Sequence, residues 1–388
     1  MGEGRRVVIT GIGTVNAAGA GGAAAVAQSL ATGRSAIAPV AAFSVDRCRS
    51  RLAAEVEAAV LAALIDQDRA RRLSRVCQLA VAACELAVRD AGVSGGAGLG
   101  IVVGTEHGDF RSSEGFAAGF LRRGPAGLSP LIFPNTVMNT MASLAAIAIG
   151  AKGPCVTLNQ PTVAGDLAVA RAAALVAAGR AEAVVAGGVD EICEVVYRKV
   201  AEMGALSPMQ DDGTEGCRPH DPAHNGPVAG EGATFLVLED LESARSRGAS
   251  ILAEVVDAAW GGVRARAHGA RSRRVDRDSP VGRLVRRHGR SHPGFTRCYG
   301  AGNGDPAVDD WERALLAHDL DGQVGPGIVP PISLAAQFGQ HAGLGALRAA
   351  AAALDAAGGN GPVLVHGIAR GGCRTAVVVS SPDALRAA

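Results

Sequence analysis

The chain lacks an excess of charge of either sign. Its 388 residues carry 38 Lys and Arg against 37 Asp and Glu, a net charge of +1. That excludes a global electrostatic pull toward nucleic acid or an anionic membrane. No run of about 18 strongly apolar residues occurs, because charge interrupts the Ala-rich stretches, and this argues against a membrane-spanning helix. CxxC pairs are missing too. The eight cysteines (Cys48, Cys77, Cys84, Cys155, Cys193, Cys217, Cys298 and Cys373) are scattered. Reduced, mostly buried thiols are expected rather than a disulfide or zinc framework. Aromatic residues make up 3%. With so much Ala, Arg and Gly, this points to a GC-rich coding source and leaves function open. The opening MGEGRRVVITGIG enters a strand pattern at once. Its apolar part is too short and too Gly-rich for a signal peptide, so a cytoplasmic protein is expected.

What is present is apolar and periodic. The chain is 48% hydrophobic, enough for a large core in one big domain or two fused halves. Strand-like runs fall at 6–10, 100–103, 156–158, 183–186, 234–238, 251–256, 363–365 and 375–379. Several are apolar on both faces, which suits strands sandwiched between helices. The spacing predicts a helix over 67–91, stopped by Gly92, and further helices over 164–178 and 344–357. Their many small residues suit close packing in an interior layer. Alternating strands and helices argue for an α/β fold. Both halves contain a strand, a Gly-rich turn and a small-residue helix, a hint of internal duplication. Residues 261–293 hold ten arginines with His268, His288 and His292 and few apolar residues, and read as an exposed excursion.

Several ordered segments carry a resemblance: RRVVITGIGTVNAAG, SRVCQLAVAACELAVRDAGV, GIVVGTEHGDF, LSPLIFPNTVMNTMASLAAIAIGAKGP, AEAVVAGGVDE and CRPHDPAHNGPVAGEGATFLVLEDLESARSRGASILAEV. Together they resemble the β-ketoacyl synthases, the condensing enzymes of fatty-acid and polyketide synthesis. The resemblance fades between about residues 261 and 295. It implies a thiolase-like fold: α/β, five-layered αβαβα, from two similar halves at 1–240 and 241–388, normally dimeric.

The resemblance also implies a site, and the segment GPCVTLNQPTVAGDLAVARAAALVAAG shows what has become of it. Condensing enzymes hold a cysteine nucleophile at a helix N-terminus, whose partial positive charge lowers the thiol pKa. That cysteine lies eight residues after the Pro of Gly-Pro and seventeen before the Gly ending the next helix. Counting from Pro154 and from Gly179 gives Thr162 both times. Threonine is a poor acyl carrier, and helix capping or turn packing is its plainer role. Cys155, at the start of the preceding strand, is expected to point into the core. The family's A-H-G-T-G-T turn matches Cys298–Asn303, with Tyr299 at the imidazole. Its K-S-x-x-G-H-T-x-G matches Ala335–Gly343, with Ala335 at the lysine and Gln340 at the second histidine. His341 stands one residue late, where a helix-start neighbour points about 100° away. A small local shift would bring it in. Arg370 replaces the gating phenylalanine. Gln160 lies two residues upstream of the nucleophile position and would need a bulge to reach it.

Silent copies in this family resemble the chain-length factors of type II polyketide synthases. That likeness implies a subunit that heterodimerises with an active ketosynthase and shapes the tunnel for the growing acyl chain, in polyketide or polyene synthesis. No cofactor is expected beyond acyl chains on the phosphopantetheine arm of an acyl carrier protein. Candidate tunnel residues are Phe116, Phe120, Phe133, Thr136 and Met138, with ordinary packing as the alternative. Phe116 and Phe120 stand one turn apart if their segment is helical. The competing readings are a divergent acyltransferase or hydrolase using Thr162, Tyr299 or His341, and a homodimeric acyl-binding protein. No metal, nucleic acid or membrane partner is expected.

Overall fold

The computed structural model of the protein describes residues 4–211, 213–263, 279–288, 294–320, 330–359, 361–369 and 371–382. Nine strands and a short hairpin strand at Gly19–Gly21 build one mixed sheet. In chain order they are β1 (Val7–Asn16), β2 (Leu99–Thr105), β3 (Cys155–Asn159), β4 (Ala183–Asp190) and β5 (Gly232–Asp240). Then follow β6 (Ala253–Gly262), β7 (Arg297–Tyr299), β8 (Val363–Ile368) and β9 (Cys373–Ser380). Each apolar run read as a strand overlaps one of these. The seven helices that matter here are α1 (Arg75–Ala91), α2 (Phe110–Arg123), α3 (Thr140–Ile149), α4 (Ala164–Ala177), α5 (Pro280–His288), α6 (Pro306–Asp319) and α7 (Gly343–Ala357).

Across the sheet the order is β7-β8-β9-β6-β1-β5-β4-β2-β3. The two ends of the chain use the same plan. β2 runs parallel to β4, which pairs antiparallel with β5, which pairs antiparallel with β1. β7 runs parallel to β8, β8 antiparallel to β9, and β9 antiparallel to β6. Where the first series adds β3 beside β2, the second has, among the described residues, a bridge from Tyr299 to Ile332. The register shifts in β1 between Ile9 and Gly11, and in β6 between Val255 and Asp257, so both first strands carry a bulge.

Alternation along the strands divides the core. Val102, Val184 and Leu236 face one cluster, while Ile101, Val103, Val185 and Phe235 face another with α1 and α3. In the second series Val363, Val365 and Val377 face the first cluster, and Leu364 and Val378 face a third with α5 and α6. Successive side chains point to opposite faces, and here both faces are buried. α4 and α7 pack on each other and on strands of both series, which makes them the middle layer. The layers run helix, strand, helix, strand, helix: the thiolase-like fold. Small residues let the middle helices touch. A methyl at Gly165 would meet the Ala342 carbonyl oxygen, and one at Gly345 the Asp166 backbone nitrogen. The buried pair Asp166–Arg348 ties the helices, with Nη2 at 2.8 and 2.7 Å from the two carboxylate oxygens.

Three expectations change. The helix read over 67–91 is two: a single turn at Gln67–Ala70 capped by Asp66, then α1, because Ser74 is extended and resets the chain. It ends at Gly92 (φ 64°), as the spacing predicts. Part of the arginine-rich stretch is no excursion. Val281, Leu284 and Val285 are buried on α5, three and four residues apart inside the basic run. His268 and His292 lie outside the described residues, as does Arg370. Finally, Cys155 is exposed at the head of β3, an edge strand; Cys77, Cys84, Cys193 and Cys298 are buried, and all eight thiols are free. No helix among the described residues is long and apolar enough to cross a membrane.

Candidate functional site

β2, β3 and β4 run parallel, so their C-terminal ends open on one side of the sheet. Such ends are where α/β sheets hold ligands. A cavity of about 190 Å³ lies there. Its polar wall includes Glu106, Thr162, Asp190, Asn303, Gln340 and His341. Its apolar wall includes Ile192, Val196, Tyr197, Val200, Leu206 and Val308.

Thr162 forms the corner between β3 and α4. Its φ is 59°, one of two positive values among the described non-glycine residues. A β-branched residue there is an outlier, costing on the order of 1–3 kcal/mol. The Val163 amide donates back to the Pro161 carbonyl at 2.7 Å, so the chain reverses within three residues. The Thr162 hydroxyl donates to the Ile368 carbonyl on β8 at 3.3 Å. Its amide donates to Glu106 Oε2 at 3.0 Å. Among the described residues the hydroxyl's hydrogen-bond partner is a carbonyl, which does not take up its proton.

Glu106 follows β2. Asn159 Nδ2 holds its carbonyl at 2.8 Å, and its own amide donates to Asp190 Oδ1 at 3.0 Å. Burial and the Asp190 charge push the Glu106 carboxyl above its ordinary pKa. Asp190, at the end of β4, is a joint for the whole site. It also accepts from Thr105 Oγ1 at 2.7 Å, the His107 amide at 3.2 Å and the Ala342 amide at 2.9 Å. Beside it, Glu191 is pushed up to about 7, chiefly by burial, against the pull of Arg111 at 3.6 Å. The thiol lining the cavity is Cys193. It is buried, burial raises its pKa, and it stands away from the α4 turn, the profile of an inert cysteine.

The expected positions divide. Thr162 and Gln340 share the cavity, and Asn303 Nδ2 donates to Gln340 Oε1 at 3.3 Å. His341 joins them on the wall. It is buried, accepts the Gly343 amide on Nδ1 at 3.1 Å, and burial holds its pKa down to about 4. The imidazole is therefore neutral at ordinary pH. Ala335 is buried in a short helix at Ala335–Phe338, away from this wall. Tyr299 does not reach the cavity. Its side chain leaves β7 toward the middle layer, where the hydroxyl donates to Asp355 Oδ2 at 2.8 Å and burial raises its pKa. Reading the A-H-G-T-G-T match two residues later keeps two glycines, Gly302 and Gly304, and puts Ala301 at the imidazole. That register agrees with Asn303 and Asp305 as the loop's cavity residues. Gln160 lies outside the lining. Sequence reasoning missed Glu106, His107, Asp190 and Asn303. The available signal was Glu-His, two polar residues set directly after the fully buried β2.

None of the five tunnel candidates lines this cavity. Phe116 and Phe120 do stand one turn apart on α2, and the Phe116 and Phe133 rings lie 5.7 Å apart. Met138 packs its sulfur over Gly108. The turn at Phe133–Thr136 packs on α2 and on α3, and α3 packs on β3, the last strand of the sheet among the described residues. On these two helices and the turns between them, Leu121 (82% exposed), Leu131 (88%), Phe133 (56%) and Ile147 (76%) are exposed apolar side chains.

Comparison with known proteins agrees with this geometry. Residues 4–244 match the family model described as the beta-ketoacyl synthase N-terminal domain. The chain is 34% identical over 259 residues to the 3-oxoacyl-[acyl-carrier-protein] synthase 2 of Synechocystis, covering 66% of this chain and 62% of that protein. A Streptomyces halstedii protein named for polyketide beta-ketoacyl synthase 1 is 38% identical over 266 residues, at 65% and 62% coverage. The chain thus spans about three fifths of the curated relatives it matches. Among solved structures, the ishigamide ketosynthase/chain length factor superposes with a TM-score of 0.83 at 24% identity, covering 97% of this chain and 99% of that one. A type II PKS acyl-carrier protein in complex with its ketosynthase bound to the hexaketide gives a TM-score of 0.82 at 19% identity, covering 97% and 100%. At those identities the likeness establishes the fold.

Proposed function

The chain belongs to the β-ketoacyl synthase family, and from that premise we propose that it is a catalytically silent chain-length factor of a type II polyketide synthase. In this reading it pairs with a ketosynthase that keeps its cysteine. Residues 1–240 and 241–388 are its two ketosynthase-like halves, and its setting is cytoplasmic. Acyl chains arrive on an acyl carrier protein and need no further cofactor.

The observation that carries the reading is Thr162. The turn that presents a nucleophile is built, at a cost in backbone strain, and it presents a hydroxyl with no base. Gln340 and Ala335 supply neither an imidazole nor a charge at their positions. Exposed apolar side chains on α2, α3 and the turns between them, with α3 packed on the edge strand β3, support an apolar face that pairs with a second subunit. Phe116, Phe120, Phe133, Thr136 and Met138 belong to the same stretch of chain, and in this reading a partner's growing chain meets them.

Co-expression with a cysteine-bearing ketosynthase tests this. A stable 1:1 complex is expected, with product formed only when both chains are present. Leu131→Asp with Phe133→Asp puts charge into the face and is expected to abolish co-purification while the free chain stays folded. Phe116→Ala is expected to lengthen the product. Condensation by the isolated chain, or a complex indifferent to the two aspartates, overturns the proposal.

A further inference from the structure

Glu106 has a position that silence alone does not explain. A missing thiol needs no carboxylate in its place. Yet the Glu106 side chain reaches from the end of β2 to the turn before α4 and takes the Thr162 amide at 3.0 Å. A backbone N–H at the head of a helix is a natural seat for a negatively charged or carbonyl oxygen. Thr162 stands directly ahead of Val163, the cap of the 14-residue α4, and the seat is filled from within the chain. The placement is built rather than incidental. Asn159 holds the Glu106 carbonyl and Asp190 holds its amide, so the backbone that aims the carboxylate is fixed at both ends.

We infer that Glu106 is a resident occupant of the anion seat at Thr162 and sets the cavity's selectivity against anions and acyl carbonyls. The inference rests on the silent-site reading only for its biological sense; the contact exists whether or not the chain pairs with a ketosynthase. It implies that returning a thiol to position 162 would not by itself restore an acyl-accepting site. A carbonyl oxygen arriving there would meet a carboxylate instead of a free amide. The ligands left to the cavity are neutral or cationic at that end and apolar toward Val196 and Leu206.

The test uses the whole chain without a partner, so its outcome is independent of heterodimer formation. A Thr162→Cys variant is treated at alkaline pH with neutral iodoacetamide and with anionic iodoacetate, and labelling is read by peptide mass spectrometry. Exposed Cys155 is the internal reference, and protection of buried Cys77 reports that the chain is folded. Adding Glu106→Gln keeps the side-chain shape and removes the charge. The iodoacetate-to-iodoacetamide ratio at residue 162 is expected to rise about tenfold, the scale of one charge acting over a few ångströms near a protein surface. A merely structural role for Glu106 would not move that ratio. An unchanged ratio, or a thiol unlabelled in both variants, overturns the inference. Should Thr162→Cys not fold, acetate titration followed by the Thr162 amide resonance gives the same answer in the native background. The resonance is expected to shift in Glu106→Gln and to stay still in the unaltered chain; equal shifts in both overturn the inference.

Discussion

α4 and α7 enter the middle layer from equivalent places in the two strand series, and their heads make an instructive pair. Each offers a backbone N–H to a carboxylate from another element, Thr162 to Glu106 and Ala342 to Asp190. The backbone differs. Ala342, the cap of α7, is ordinary, at φ −60° and ψ −28°, whereas Thr162, one residue ahead of the α4 cap, is at φ 59°. Satisfaction differs too. Asp190 accepts from Thr105, Glu106, His107 and Ala342. Among the described residues Glu106 takes only the Thr162 amide. The middle layer therefore does not require a strained head, since α7 does without one. The strain at α4 belongs to the cavity, and the saturated head at α7 belongs to the architecture.

The largest effect is expected where the two helices are joined. The Asp166 and Arg348 side chains are 1% and 3% exposed. Arg348→Met leaves a buried carboxylate without its partner, which costs about 3–5 kcal/mol. Adding Asp166→Leu removes the orphan charge, and most of that loss is expected to return. Denaturant unfolding of the single and double variants decides it. A single variant as stable as the double would mean that the joint lies elsewhere, and that the two heads can be treated as independent.

Next in size is the pH response of the α7 head. Burial holds His341 down to about 4 in the folded chain, against an ordinary value of 6.5. The unfolded chain thus takes up a proton first as pH falls. The stabilisation is complete above 6.5 and is lost between there and about 4. Glu191 has the opposite sign: pushed up to about 7 from 4.5, it favours the folded state increasingly as pH falls through that window. The two act in opposite directions, so each masks part of the other. His341→Gln unmasks them. Relative to the unaltered chain, the variant is expected to gain about 2 kcal/mol between neutral pH and pH 5. A constant difference across that range would mean that His341 titrates normally and that the α7 head is open to water.

The comparison also shows what the sequence carries. Strand positions were legible because β-branched residues buried on both faces leave a continuous apolar signal, as in β2 and β4. Thr162 was legible because two flanking landmarks fix it without a gap. Tyr299 was placed by its neighbours in a glycine-rich motif that fits two registers equally well. Only the strand's alternation, which sends the ring toward Asp355, separates them. Glu106 was hidden for another reason. Its partner, the Thr162 amide, is a backbone group 56 residues away and leaves no trace in side-chain pattern. The exposure of Cys155 follows from β3 being an edge, which depends on strand order rather than on composition.

The smallest effect separates the heads by sign. Thr162→Ala keeps the strained backbone and loses the hydroxyl's bond to Ile368. Thr162→Gly loses the same bond but fits φ 59° without a Cβ penalty. The glycine variant is expected to be about 1 kcal/mol more stable than the alanine variant, despite glycine's larger unfolded-state entropy. At the α7 head the order reverses. Ala342 has an ordinary helical backbone, so Ala342→Gly is expected to cost about 0.5–1 kcal/mol. Thermal unfolding of the three variants reads both signs. If glycine is the worse residue at 162 as well, the turn stores no strain, and the α4 head is as much plain architecture as its counterpart.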